Sequence, residues 1–131
     1  MSDPLVEVRP QQHCAIVWLN GPGALESLMQ RAGIIAAHPD WSADFDMIVV
    51  VGADSDLNDI TLEKLVEHQT FFAEWSAIHR NGPNSRSAIV CRDDLKQVLV
   101  ELWLAVRRQA GGVEDLVFDR LEDALAGLAR A

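Results

Sequence analysis

From Asp44 to Ile78 the chain reads DFDMIVVVGADSDLNDITLEKLVEHQTFFAEWSAI: a strand, an acidic turn and a capped helix in immediate succession. Met47 to Val51 is a continuous apolar run rich in β-branched residues, too short for a membrane span and ended by Gly52. Such a run fits a central strand covered on both faces. Thr61 stands where a hydroxyl accepts from the free N–H groups of a first helical turn, and Ile60 before it can staple onto Leu65. A covered strand followed directly by a helix is the repeating unit of an α/β fold.

The turn between them, residues 52–59, should lie beyond the carboxyl end of the strand, where open α/β sheets bind ligands. It offers Asp54, Ser55, Asp56 and Asp59, with Thr61 just beyond, as a candidate ligand or switch loop. The plainer reading is that three acids near a helix N-terminus solvate the loop and complement the helix dipole.

At 100° per residue, Leu62, Leu65, Val66, Phe72 and Ala73 share the face of this helix expected to meet the sheet. Phe71, Trp75 and Ile78 fall opposite, where a helix outside a single sheet should be polar, so something is expected to cover them.

Working outward, Leu5 to Arg9 and Cys14 to Leu19 read as strands of a hairpin around Pro10-Gln11-Gln12-His13. Leu25, Leu28, Met29, Ala32, Ile35 and Ala36 follow helical spacing, ended by His38-Pro39. After the turn cluster of residues 80–85, Ser87 to Cys91 is a fourth strand. Asp93 or Asp94 opens a third helix with an inner face of Leu95, Val98, Leu99, Leu102 and Val106, with apolar residues spilling outward at Val100 and Leu104, and with Trp103 on the flank. Gly111-Gly112 stops it. Val113 to Phe118 is a fifth strand, and Asp119-Arg120-Leu121-Glu122 has capping-box spacing for a last helix carrying Leu121, Ala124, Leu125 and Leu128. The order β-β-α-β-α-β-α-β-α implies one α/β domain over residues 1–131, with a mixed five-stranded sheet and helices packed on it.

That order, with His38-Pro39-Asp40-Trp41 through Asp44-Phe45-Asp46, Ile60-Thr61-Leu62-Glu63, Ser87-Ala88-Ile89-Val90 and Val117-Phe118-Asp119-Arg120-Leu121-Glu122-Asp123-Ala124, resembles the STAS-like fold of anti-sigma-factor antagonists. It is most similar to the bacterial branch described as SpoIIAA-like. The resemblance covers roughly residues 5–130, and no single piece of it is specific. Anti-sigma antagonists carry a phosphorylatable Ser in an Asp-Ser-Ser-Gly segment at the helix start. The matching segment here, Asp59-Ile60-Thr61-Leu62, lacks the Ser pair and the Gly, so Thr61 alone stands in for the acceptor, with Ser55 earlier in the loop.

Composition narrows the choices. The formal net charge is −9, with 20 acidic against 11 basic residues, which argues against nucleic acid or an anionic membrane as partner. No segment approaches membrane length, and no basic-then-apolar leader opens the chain, so a cytoplasmic location is expected. Cys14 and Cys91 lie in apolar strand contexts, expected as buried thiols and not as a disulfide scaffold. Asp54-x-Asp56-x-Asn58 begins like a calcium loop, but Asp59 and Leu65 stand where an EF-hand needs Gly and Glu. His68 and His79 lie roughly 16 Å apart by helical rise, too far to share a metal, and solvent-facing or capping roles are expected for the histidines. No cofactor, metal or catalytic constellation is expected.

The leading functional expectation is a non-enzymatic regulatory or interaction domain forming a homodimer through Phe71, Trp75, Ile78, Val100, Trp103 and Leu104. The second is a small-molecule or lipid-binding domain in which those side chains line a pocket with Asp54, Asp56 and Thr61 near its mouth. The third is a phosphoswitch at Thr61 or Ser55, served by a kinase partner.

Overall fold

The structure, a computed structural model, describes residues 5–57, 60–80, 85–110 and 115–129. Five strands, β1 (Val6–Arg9), β2 (Cys14–Gly21), β3 (Asp46–Ser55), β4 (Ser87–Val90) and β5 (Asp115–Phe118), form one sheet in the order β1-β2-β3-β4-β5. Four helices, α1 (Ala24–Ala37), α2 (Leu62–His79), α3 (Asp94–Ala110) and α4 (Leu121–Leu128), complete the expected element order. β1 runs antiparallel to β2, and β2 to β5 are mutually parallel. The hairpin turns through a short 3-10 segment, Pro10–Gln12, and a left-handed His13.

Each parallel strand lies beside its predecessor, and right-handed crossovers then place the three connecting helices on one face. The core follows that rule. Ala15, Val17, Leu19, Met47, Val49, Val51 and Ile89 pack with residues of α1, α2 and α3 in the larger cluster. Their alternates Ile16, Ile48, Ala88 and Val90 point to the other face, which is met by Ala124 and Leu128 of α4. Three helices thus cover one side of the sheet and a helix of 8 residues covers the other. This imbalance shapes the site.

The helix faces expected for α2 and α3 are corrected by the packing. In α2 the buried residues are Leu65, His68, Phe72 and Trp75, a stripe rotated by roughly a quarter turn from the expected one. Leu62, Val66 and Ala73 are exposed instead. In α3 the buried residues include Val100, Trp103 and Leu104, none above 1% exposed, while Val98 and Leu102 face outward. Trp75, Val100, Trp103 and Leu104 are therefore core side chains and not an outer stripe; of the six expected interface residues only Phe71 and Ile78 reach the surface. The physical reason is area. Burying an indole removes more apolar surface from water than burying a Val or Leu, so the tryptophans take the inner positions.

The cover expected over Trp75 exists, and the α1–β3 loop supplies it. Trp41 lies against Trp75 with ring centroids 6.0 Å apart. Its indole N–H donates to the His79 carbonyl at 3.2 Å.

The amino edge of the sheet holds a buried polar cluster. Arg80, inside the fold, donates from Nε to Ser85 Oγ at 2.6 Å, from Nη1 to Ser87 Oγ at 2.9 Å and from Nη2 to the Arg86 carbonyl at 2.6 Å. Asp46 accepts from the Arg86 backbone N–H at 2.7 Å, and Arg107 pairs with Asp115 at 3.2 Å. Burial, and then the nearby Arg107 charge, lowers Arg80 to about 10. The cluster ties the starts of β3, β4 and β5 to the ends of α2 and α3.

Candidate functional site

β3 extends past the expected Val51 to Ser55, and it does so through a bulge. Leu19 pairs with Val51, but the next pair is Gly21 with Ser55, so β3 spends four residues where β2 spends two. Bulges re-aim a strand and gather near sites. With its amide oriented so that the nitrogen faces them, the Asn20 side chain clamps this one, donating to Asp54 Oδ1 at 2.8 Å and to the Leu19 carbonyl at 3.1 Å. Gly52 is needed here for close approach: a Cβ on it would lie 2.8 Å from the Leu19 carbonyl oxygen. Gly52→Ala is accordingly expected to cost about 1–3 kcal/mol, the range of overpacking, read as a lower urea midpoint with an unchanged slope. A variant as stable as the parent would mean that the bulge relaxes freely.

The re-aimed Gly52 and Ala53 form one wall of a cleft of about 690 Å³ at the carboxyl edge of the sheet. Val50, Val51 and Val90 form its floor, Leu121 and Leu125 of α4 its far wall, and Arg92, Asp93, Asp119, Arg120 and Glu122 its rim. The topology explains why it opens there. The Cys91 N–H still donates to the Phe118 carbonyl at 3.0 Å, so β4 and β5 stay paired to their ends. Beyond that bond the chain after β4 turns to α3 on one face and the chain after β5 turns to α4 on the other. Where successive connections part to opposite faces, the carboxyl edge opens into a crevice, the usual ligand position in open α/β sheets.

The Gly52-Ala53 wall and the end of β4 are held to α3 by polar anchors. Lys96 Nζ donates to the Ala53 carbonyl at 2.5 Å, and Gln97 Nε2 donates to the Cys91 carbonyl at 2.6 Å. Asp93 caps α3 by accepting from the Lys96 backbone N–H at 3.2 Å, and its other oxygen lies 3.6 Å from Lys96 Nζ. At α4 the expected capping box does not form. The N-cap is Arg120, and no side chain caps the helix. Arg120 instead pairs with Glu122 at 3.0 Å and Asp123 at 3.6 Å. A polar recess of about 390 Å³ continues outward between Arg92, Asp119, Arg120 and Asp123.

The expected loop residues are dispersed. Asp54 belongs to the bulge, and Asp56 is exposed just beyond the end of β3. Ser55 is corrected from a loop residue to the last residue of β3. It is buried, and its hydroxyl has no hydrogen-bond partner among the described residues, so a kinase cannot reach it in this conformation. Thr61 caps α2 as expected, its hydroxyl accepting from the Lys64 N–H at 3.2 Å, and it is exposed. Asp59 lies outside the described residues. Asp54, Ser55, Asp56 and Thr61 do not line the cleft. The expected pocket of helix side chains is reduced to a shallow hollow of about 240 Å³ touching Phe71, Trp75 and Ile78.

His68 is also corrected. It was expected at the surface, but it is 1% exposed between Phe72 and Trp103, with ring centroids at 4.6 and 5.2 Å. Neither ring nitrogen has a partner among the described residues. Burial, and then the Arg107 charge, lowers it to about 3, so it is neutral. His38 is the C-cap residue of α1, its backbone N–H donating to the Ile35 carbonyl at 3.0 Å, and its ring accepts the Asp40 N–H at 3.1 Å. Cys14 and Cys91 are free and buried as expected, and burial pushes Cys14 up to about 11. Among the described residues no group of His, Cys, Asp and Glu has the arrangement of a metal site, and no helix is long and apolar enough to cross a membrane.

Sequence reasoning missed the cleft because its lining comes from three separate segments, residues 50–53, 90–93 and 119–125. One signal was available: β-branched floor residues on the sheet face that a single short helix had to cover. In comparisons with known proteins, the chain matches no family model, no curated protein and no solved structure.

Proposed function

We propose that this chain is a small-molecule-binding domain of STAS-like type, with its site in the cleft between the carboxyl ends of β3–β5 and α4. The observation that carries the reading is the cleft of about 690 Å³ itself. Small-molecule sites typically enclose about 300–1,000 Å³ with apolar walls and a few placed polar groups, and this one has aliphatic walls and a charged rim. Its lining includes no Ser, Thr, Cys or His among the described residues, so it offers no hydroxyl, thiol or imidazole for covalent or proton-transfer chemistry. The STAS-like assignment rests on the element order and on the segments that resemble that family, and Thr61 remains its candidate switch hydroxyl.

A second reading, self-association through α2 and α3, is supported by a different set of residues from those first expected. Leu62, Val66, Val98 and Leu102 are all exposed, and exposed apolar residues grouped on neighbouring helices mark interfaces.

One experiment separates the two. Decanol is added to the purified protein and to Leu125→Trp, whose indole fills the cleft, and thermal unfolding, native mass spectrometry and light scattering are recorded. A ligand at a hundredfold excess over its Kd adds about 2.7 kcal/mol to stability. The expected result is a raised Tm and a one-to-one adduct in the parent, both lost in Leu125→Trp. A dimer that neither takes up decanol nor shifts its Tm would overturn the binding reading in favour of the second.

A further inference from the structure

The charges at the mouth define which ligand the cleft takes, and this step rests on the binding reading above. Arg120 is engaged by Glu122 and Asp123, and Asp93 by the backbone and side chain of Lys96. Arg92 and Asp119 are left. Both are exposed, both line the cleft and its outer recess, and neither forms a hydrogen bond or ion pair with another described residue. The recess is lined by two guanidinium groups, Arg92 and Arg120, and two carboxylates, Asp119 and Asp123, a balanced set.

We propose that the cleft selects a zwitterionic amphiphile. Its apolar body lies on Val50, Val90, Leu121 and Leu125, its anionic group meets Arg92 and its cationic group meets Asp119. A simple anion drawn to Arg92 also meets the Asp119 carboxylate and the field of a chain with net charge −9. A simple cation drawn to Asp119 meets Arg92 and Arg120. A neutral head leaves both unpaired charges without a new partner. A head group bearing both signs satisfies both, and charge-assisted hydrogen bonds are roughly twice as strong as neutral ones.

The test uses four probes with one tail: decanol, decanoate, decylammonium and α-aminodecanoate, each titrated by calorimetry at neutral pH and below its micellar range. For the parent, α-aminodecanoate is expected to bind about tenfold more tightly than any of the others, a difference of about 1.4 kcal/mol. Arg92→Gln should erase that preference and raise the relative affinity for decylammonium, whereas Asp119→Asn should raise that for decanoate. Both variants should keep the parent's circular dichroism and urea midpoint, which shows that the fold is intact. Decanol or a singly charged probe binding as tightly as the zwitterion, or an unchanged ranking in both variants, overturns the zwitterion inference while the binding reading stands. If none of the four binds the parent, both fall together.

Discussion

Trp75→Glu is expected to unfold the protein or to lower its stability by at least about 3–5 kcal/mol, the cost of truncating a buried tryptophan, before the added charge is counted. Trp75 is 6% exposed and stacked among Phe72, His79 and Trp41. A carboxylate there gives up most of its hydration among aromatic rings. Folded domains of this size hold only about 5–15 kcal/mol in reserve. Leu102→Glu makes the contrast, because Leu102 lies on the outer face of α3 and is exposed. It is expected to change stability by no more than about 0.5 kcal/mol, as surface substitutions do. Urea unfolding followed by circular dichroism measures both. A stable, folded Trp75→Glu would restore the outward stripe read from the sequence and would overturn the packing of α2 described above.

The second large effect is on acid stability. The unfolded chain protonates His68 near pH 6.5, whereas the folded chain holds it neutral down to about 3. Between those values the unfolded state binds the extra proton. The contribution of His68 is therefore complete above about pH 6.5 and is lost as pH falls, at about 1.4 kcal/mol per pH unit. By pH 4 the loss is about 3 kcal/mol. His68→Phe keeps an aromatic ring between Phe72 and Trp103 and removes the proton linkage. At neutral pH it should match the parent or exceed it by about 1 kcal/mol, since two buried nitrogens without partners disappear. Its stability should then fall much less steeply between pH 6 and pH 4. Equal slopes for parent and variant across that range would mean that His68 takes up its proton in the folded protein.

The sequence alone determined the α/β class, the element order and most boundaries. Those are local properties. The run Met47 to Val51, the cap at Thr61, the stop at His38-Pro39 and the spacing of Leu25, Leu28, Ala32 and Ile35 each depend on a few neighbouring residues, and all appear in the structure. The parallel second half followed from strand–helix alternation, and the thiols were legible because strand patterns bury alternate residues.

The direction in which α2 and α3 face was decided only by the tertiary structure. Both helices carry apolar residues almost all round, so periodicity gave two candidate faces, and the competition to bury Trp75 and Trp103 chose between them. His68 misled for a related reason. A polar residue type counted against the face that packing selected, and nothing local showed that Phe72 and Trp103 would enclose it. The site was least legible of all. Its floor comes from β3 and β4, and its rim from loops that follow β4 and β5. What brings them together is a long-range event: α3 and α4 leaving the sheet on opposite faces, with α4 too short to cover the strands beneath it. Local chemistry wrote the elements of this protein; the unequal covering of the two sheet faces made the cleft.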